Sequence, residues 1–282
     1  MLPTGPKPGG ALLNVAIHLI RQGRSPRLAS KIGNDKLGWD LIQFITEAGL
    51  DQRLIQVDET LPTSQVIIHL DEKKNATYEI CEPVAWDNIL LNREMLETTE
   101  KADLVIFGSL ASRNKTTRET LFQLLEKTRA KRMLDVNLRP PYDKPEVINE
   151  MLRKADFIKL NNDELTVIAG WHKQKGTEPE LIQWISEYFK CPAVCVTRGE
   201  NGAALFLENK LYEHRGFKVK AVDTVGAGDS FLASLIANLA KDESPQKALE
   251  YACATGAFVA SQKGAVPGYS EKEINSIINK KA

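Results

Sequence analysis

Across residues 102–260, short apolar β-type runs alternate with amphipathic helical runs, and this alternation restricts the chain more than any other feature. "ADLVIFG", "KRMLDVN" and "DFIKLN" read as strands, and "TTRETLFQLLEKTRA", "PEVINEMLRKA", "NDELTVIAG" and "ELIQWISEYF" read as helices between and after them. Strands separated by helices need right-handed crossovers, so the strands lie mostly parallel with helices on both faces. The same rhythm occurs earlier in "PRLASKIG", "DKLGWDLIQFITEAG" and "DQRLIQV". The expected fold is one three-layer α/β/α domain over residues 1–282.

Two stretches depart from the rhythm. Within residues 57–83, "TSQVIIHLD" and "ATYEIC" flank the turn-like "EKKN" and predict an antiparallel hairpin inserted into the domain. "PAVCVTRG" and "GAALFLEN" predict a second strand pair around a glycine-containing turn. Helices are also expected over Gly10 to Gln22, where Leu12, Leu13, Ala16, Ile17, Leu19 and Ile20 recur with helical spacing, and over "VGAGDSFLASLIANLA" and "SPQKALEYACATGAFVASQKG".

Lys plus Arg and Asp plus Glu are 37 each, so no global basic field favours nucleic acid or an anionic membrane, and a small-molecule partner is expected. Cys81, Cys191, Cys195 and Cys253 show neither CxxC spacing nor the density of a disulfide scaffold, which predicts reduced thiols and a cytoplasmic location. There is no basic-then-apolar leader and no run of 18 apolar residues. His18, His69, His172 and His214 lack metal-ligand spacing and read as structural or surface residues.

The chemistry concentrates in "AVDTVGAGDSFLASLIANL". Gly226, Ala227 and Gly228 let the backbone turn tightly where a helix begins, and a helix N-terminus presents unpaired N–H groups and a partial positive charge to an anion. Asp229 then has two readings. It is either a helix cap, or a general base beside an anion hole formed by the preceding N–H groups. Walker A and GxGxxG patterns are absent.

Together with "PGGALLNVA", "SKIGNDKLGWDL", "LDVNLR", "KLNNDE", "VTRGENGA" and "SQKGAVP", the "DTVGAGDSF" segment resembles, in order and over nearly the whole chain, the ribokinase-like (PfkB) carbohydrate kinases. "LDEKKNATYEI" and "EPVAWDNI" look most like fructokinases. The resemblance implies transfer of the γ-phosphoryl group of ATP to a sugar hydroxyl, fructose first among acceptors, with ribose, 2-keto-3-deoxygluconate or a nucleoside as alternatives. It casts Asp229 as base and Gly226, Ala227 and Gly228 as the anion hole. Gly9, Gly10, Asn14, Trp86, Asn137 and Arg139 are implied at the sugar, although for the first three the sequence alone favours a plain turn and helix start. Asn161, Thr197, Gly199 and Gly202 are implied at the nucleotide, the glycines being equally consistent with a plain hairpin. Glu164 is implied near Mg²⁺ through water, or else caps a helix, and Asp223, Val225 and Gly264 are implied around a monovalent cation, with K⁺ expected. Asn34 and Asp35 carry the alternative of capping the next helix, and Asp135 reads as structural. The hairpin at 57–83 resembles a lid that covers sugar and pairs between subunits.

Relatives of this kind begin with a "GE-x-L-x-D" strand whose final Asp binds sugar, and nothing corresponding precedes Met1. The expectation is that Met1 is internal to a longer natural chain and that the first core strand is missing from this one. A catalytically poor ligand-binding protein on a kinase fold is the corresponding alternative.

Overall fold

The alternation resolves into a six-stranded mixed sheet in a computed structural model that describes residues 7–70 and 76–280. In chain order, α1 (Ala11–Arg21) leads to β1 (Ser30–Gly33), α2 (Lys36–Glu47), β2 (Ile55–Asp58) and the hairpin β3 (Val66–Leu70) and β4 (Ala76–Ile80). Then come α3 (Arg93–Glu100), β5 (Leu104–Gly108), α4 (Lys115–Lys127), β6 (Lys131–Asp135), α5 (Pro145–Lys154), β7 (Phe157–Asn161), α6 (Asn162–Trp171) and α7 (Glu178–Phe189). The chain closes with β8 (Ala193–Thr197), β9 (Ala203–Leu207), β10 (Lys210–His214), α8 (Ala227–Leu239), α9 (Pro245–Ala260) and α10 (Glu271–Ile278).

The main sheet runs β10-β9-β8-β7-β6-β5. β5 to β8 are parallel, as the crossovers require, whereas β9 and β10 pair antiparallel because short connections join them. The expected β3–β4 hairpin forms, with Val66 opposite Ile80. Its "EKKN" turn, the opening "MLPTGP" and the last two residues lie outside the described residues.

One expectation is corrected. β1 and β2 do not join the main sheet but form a separate parallel pair, Ser30 opposite Ile55. Helix α1 covers both units because it is apolar on two sides. Val15 and Leu19 pack with Leu104, Ile106 and Met133 of the main sheet, while Leu13, Ala16 and Ile17 pack with Ile45 and Leu50. Among the described strands, β5 and β10 end the main sheet, and β5 is only partly buried while β8 is almost wholly covered.

Helix α8 lies against α1 and α9, with Ser230 to Leu235, Ala237 and Asn238 buried. Its small residues allow close helix approach, and this central placement carries its N-terminus, with Asp229, to the carboxyl ends of β6 and β7. Open α/β sheets place ligands at such strand ends.

Candidate active site

Gly226 is the N-cap of α8 at φ 81°, a left-handed conformation suited to glycine. A Cβ there would stand 2.3 Å from the carbonyl oxygen of Ala265. That carbonyl is held from the other side by the His18 ring, at 3.0 Å. Burial lowers the His18 pKa to about 4, against the Ala265 bond, so the ring is neutral and structural, as the sequence suggests. Gly226→Ala is therefore expected to cost about 1–3 kcal/mol in stability, read as a lowered thermal midpoint, and to displace the N–H groups behind it.

Those N–H groups are available. Ala227 donates weakly to the Thr224 carbonyl at 3.3 Å, but the N–H groups of Gly226, Gly228 and Asp229 find no acceptor among the described residues. The loop thus presents the N–H groups of the two glycines and of Asp229 without acceptors, with Ala227 partly engaged.

Asp229 does not cap the helix. No side chain caps α8, and the Asp229 carboxylate instead accepts a 2.8 Å hydrogen bond from the Asn14 side-chain amide. Asn14, which the resemblance assigns to the sugar, is buried and points its donor at the candidate base. Burial raises the Asp229 pKa to about 6, an effect opposed by the Asn14 bond, reinforced by Asp135, and opposed again by Lys159 and Arg139. A carboxylate poised near neutrality is suited to accepting a proton.

Behind the loop, Asp135 is structural as expected, but its buried partner Lys159 was not foreseen. Lys159 of β7 stands opposite Asp135 of β6 in the sheet register, and its ammonium lies 2.9 Å from the Asp135 carboxylate. Both side chains are under a tenth exposed. Burial would depress Lys159, but Asp135, with Glu164 and Asp229 further off, holds its pKa above the usual value. Its ammonium is 3.7 Å from where a Gly228 Cβ would be, so a fixed positive charge sits beneath the glycine loop. The signal was a lysine inside the apolar run "DFIKLN".

Glu164 turns out to be a clamp. One oxygen accepts from the Asn161 N–H at 2.8 Å and the other from the Leu138 N–H at 2.9 Å, while the Asn161 side chain accepts from the Glu164 N–H at 2.8 Å. This capping box starts α6 and ties it to the loop after β6. Burial raises the Glu164 pKa, against the Asn161 N–H and Lys159. In the loop it anchors, Asn137 adopts φ 41° and its carbonyl accepts from Ser109, and Arg139 is exposed within electrostatic range of Asp229.

The other assigned residues scatter. Gly10 caps α1 at φ 134°, and its carbonyl receives the Asn14 N–H, which places Gly9 and Gly10 one turn from Asn14. Asn34 binds Glu59 and Trp39, and Asp35 caps α2 through the Gly38 N–H. Thr197 ends β8 level with Asn161, and Gly199 follows it at φ 59°. Gly202 is required sterically, since a Cβ would meet the His214 carbonyl oxygen. Asp223 draws its cluster together, accepting from the N–H groups of Val225 at 3.0 Å and Gly264 at 3.1 Å. Trp86 stacks over Arg113, 4.1 Å from its guanidinium. Among the described residues no three His, Cys, Asp or Glu side chains cluster to hold a metal.

Comparison with known proteins decides the family to which this arrangement belongs. The pfkB family carbohydrate kinase model matches residues 5–272. The chain belongs to that family. It is 27% identical over 277 residues to fructokinase-2 of Zea mays, covering 92% of this chain and 81% of the maize protein. The crystal structure of a Vibrio cholerae fructokinase with fructose, ADP and calcium superposes at a TM-score of 0.82 with 25% identity, over 96% of this chain and 91% of that one. Aminoimidazole riboside kinase of Salmonella enterica shares the fold at a TM-score of 0.82 and 23% identity, over 96% of this chain and 92% of that one. As a pfkB-family member with the ribokinase-like fold, the chain is a phosphotransferase acting on a carbohydrate. Among its described residues no helix is long and apolar enough to cross a membrane.

Proposed function

We propose that the chain transfers the γ-phosphoryl group of ATP to a hydroxyl of fructose, with Asp229 as the base that takes the hydroxyl proton. The observation that carries this is Asp229 itself: a carboxylate with a pKa of about 6, bonded to Asn14 at 2.8 Å, at a helix N-terminus with free N–H groups. Phosphoryl transfer needs positioning and charge stabilisation rather than a covalent nucleophile. The Gly226, Gly228 and Asp229 N–H groups would receive the transferring oxygens, and Lys159 would supply charge from below. Gly9, Gly10, Asn137 and Arg139 would line the sugar side, and Asn161, Thr197 and Gly199 the nucleotide side.

Mg²⁺ fits as an ion carried by the nucleotide phosphates, because it retains water and, among the described residues, no three His, Cys, Asp or Glu side chains cluster to hold it. Glu164 would meet it through water, its oxygens already bonded to backbone. The carbonyls of Asp223, Val225 and Gly264, gathered by the Asp223 carboxylate, fit a monovalent cation such as K⁺. We place the lid at residues 57–83 as an insertion in one domain; the exposure of Val66 (56%) and Ile67 (39%) on β3 supports its pairing with a second copy. Its closure would exclude water that competes for phosphate.

The test is ADP release with Mg²⁺–ATP and a panel of fructose, ribose, 2-keto-3-deoxygluconate and a nucleoside. Fructose is expected to give the highest kcat/KM by about tenfold or more, a gap of roughly 1.4 kcal/mol in transition-state binding. A preference for another acceptor would reassign the sugar. ADP release at the hydrolytic background with every acceptor would favour the ligand-binding alternative.

A further inference from the structure

We propose that a cavity of about 410 Å³ between the lid exit and the loops after β5 and β6 is a binding site for the carboxylate or phosphate group of a small metabolite. None of the residues around Asp229 lines it. Its walls come from Glu82 and Asp87, from Ser112 and Arg113, and from Tyr142 and Lys144.

The first support is a pair of polar atoms with nothing to bond. The Arg113 side chain is 3% exposed, and Ser112 is fully buried. Arg113 gives its Nε and Nη2 to the Asp87 carboxylate at 2.7 and 2.8 Å, and Nη2 also to the Cys81 carbonyl at 2.9 Å. Its planar group lies over the rings of Trp86 and Tyr142, at 4.1 and 4.8 Å. Nη1 and the Ser112 hydroxyl remain without partners. A buried donor left unmade is costly, and a guanidinium held rigidly by three bonds and two rings presents its free edge in a fixed direction. Both residues line the cavity, and an oxyanion bound there that reaches them would satisfy both groups.

The second support is the charge around the cavity. Asp87 is consumed by Arg113 and by the Val84 N–H, and Glu82 is exposed beside the Tyr142 hydroxyl. Arg118, another lining residue, donates to the Ser112 carbonyl at 3.0 Å but forms no ion pair among the described residues, and neither does Lys144. Two helices also begin at this wall. Asn114 is the N-cap of α4, and Lys144 is the N-cap of α5 with no side-chain cap. Beyond Pro145, the N–H groups of Glu146 and Val147 find no acceptor among the described residues, and Val147 lines the cavity. Orphan donors, uncompensated cations and the uncapped N-terminus of α5 all favour negative charge; the α4 start is already capped, its Asn114 side chain accepting from the Thr116 N–H. Because Arg113 holds the Cys81 carbonyl, the occupant would also brace the end of the lid.

The test uses inorganic phosphate and, separately, acetate, titrated by calorimetry into the full chain saturated with Mg²⁺ and a non-hydrolysable ATP analogue, so that the Asp229 loop is already filled. Saturable phosphate binding is expected, weakened by about tenfold or more in Ser112→Ala and again in Lys144→Ala, in keeping with loss of one charge-assisted contact each. Ser112→Ala removes an unpaired hydroxyl and should fold with an unchanged or raised thermal midpoint. Acetate competing with phosphate would identify a carboxylate site, and phosphate binding without competition a phosphate site. Absence of saturable binding by both ions overturns the proposal. So does Ser112→Ala binding as tightly as the parent, which would reduce the effect to attraction by surface charge.

Discussion

Asp229→Asn is expected to lower kcat for phosphoryl transfer by about 10²–10⁴-fold while leaving the fold intact, the range spanned by removal of a general base. Asn is nearly isosteric and can still face Asn14 through its amide oxygen. Kinetics at fixed fructose and Mg²⁺–ATP, with circular dichroism for folding, provide the check. Retention of full activity by the variant would disprove the assignment of the base.

The same carboxylate gives a pH signature. With a pKa of about 6 in the folded protein, the base form is lost as pH falls through 6, so kcat/KM should decline on that side. Stability moves in the opposite sense. The folded-state pKa lies above the unfolded value of 3.8, so the folded protein holds the Asp229 proton more tightly. Stability associated with this proton is therefore present at low pH and lost as pH rises from about 4 through 6. At one pKa unit per about 1.4 kcal/mol the penalty is at most about 3 kcal/mol, and partial solvent screening brings it to about 1–2. Asp229→Asn should thus be more stable than the parent in urea at pH 8, with the gain vanishing at the acid end of that range. Equal stability at pH 8 would indicate that the carboxylate is not held desolvated.

The second large effect belongs to Lys159. Lys159→Met leaves the Asp135 carboxylate buried without its partner, which typically costs about 3–5 kcal/mol. Urea denaturation should show this loss, and Lys159→Met combined with Asp135→Leu should recover most of it by removing both charges. Activity should not return with stability. Lys159 holds the Asp229 pKa down, so the acid limb of the pH profile should move upward in the single variant. A double variant as active as the parent would confine Lys159 to a structural role.

These effects trace a division between what neighbouring residues in the chain express and what distant ones create. The strand–helix alternation, the hairpin at β3–β4 and the glycine loop before α8 were legible because each rests on local periodicity or local backbone freedom. Asp35 as the cap of α2 and the Asn161–Glu164 capping box are likewise local, spanning three residues. The separation of β1–β2 from the main sheet was not legible, because strand pairing is settled between distant segments and the same apolar run suits either sheet. The stacking of Trp86 on Arg113 was not legible for a related reason: the two residues lie in different segments that only the fold brings together.

By itself the sequence determined the class of fold, the family and the position of the Asp229 loop, since periodicity, glycine spacing and motif order are properties of the chain as written. Only the tertiary structure decided what Asp229 touches. Asn14 is 215 residues away from it in sequence, yet 2.8 Å away in space. Lys159 reaches the glycine loop before α8 from a central strand, and the Asp229 pKa depends on burial and neighbouring charge, which exist only once the sheet and helices have closed around them.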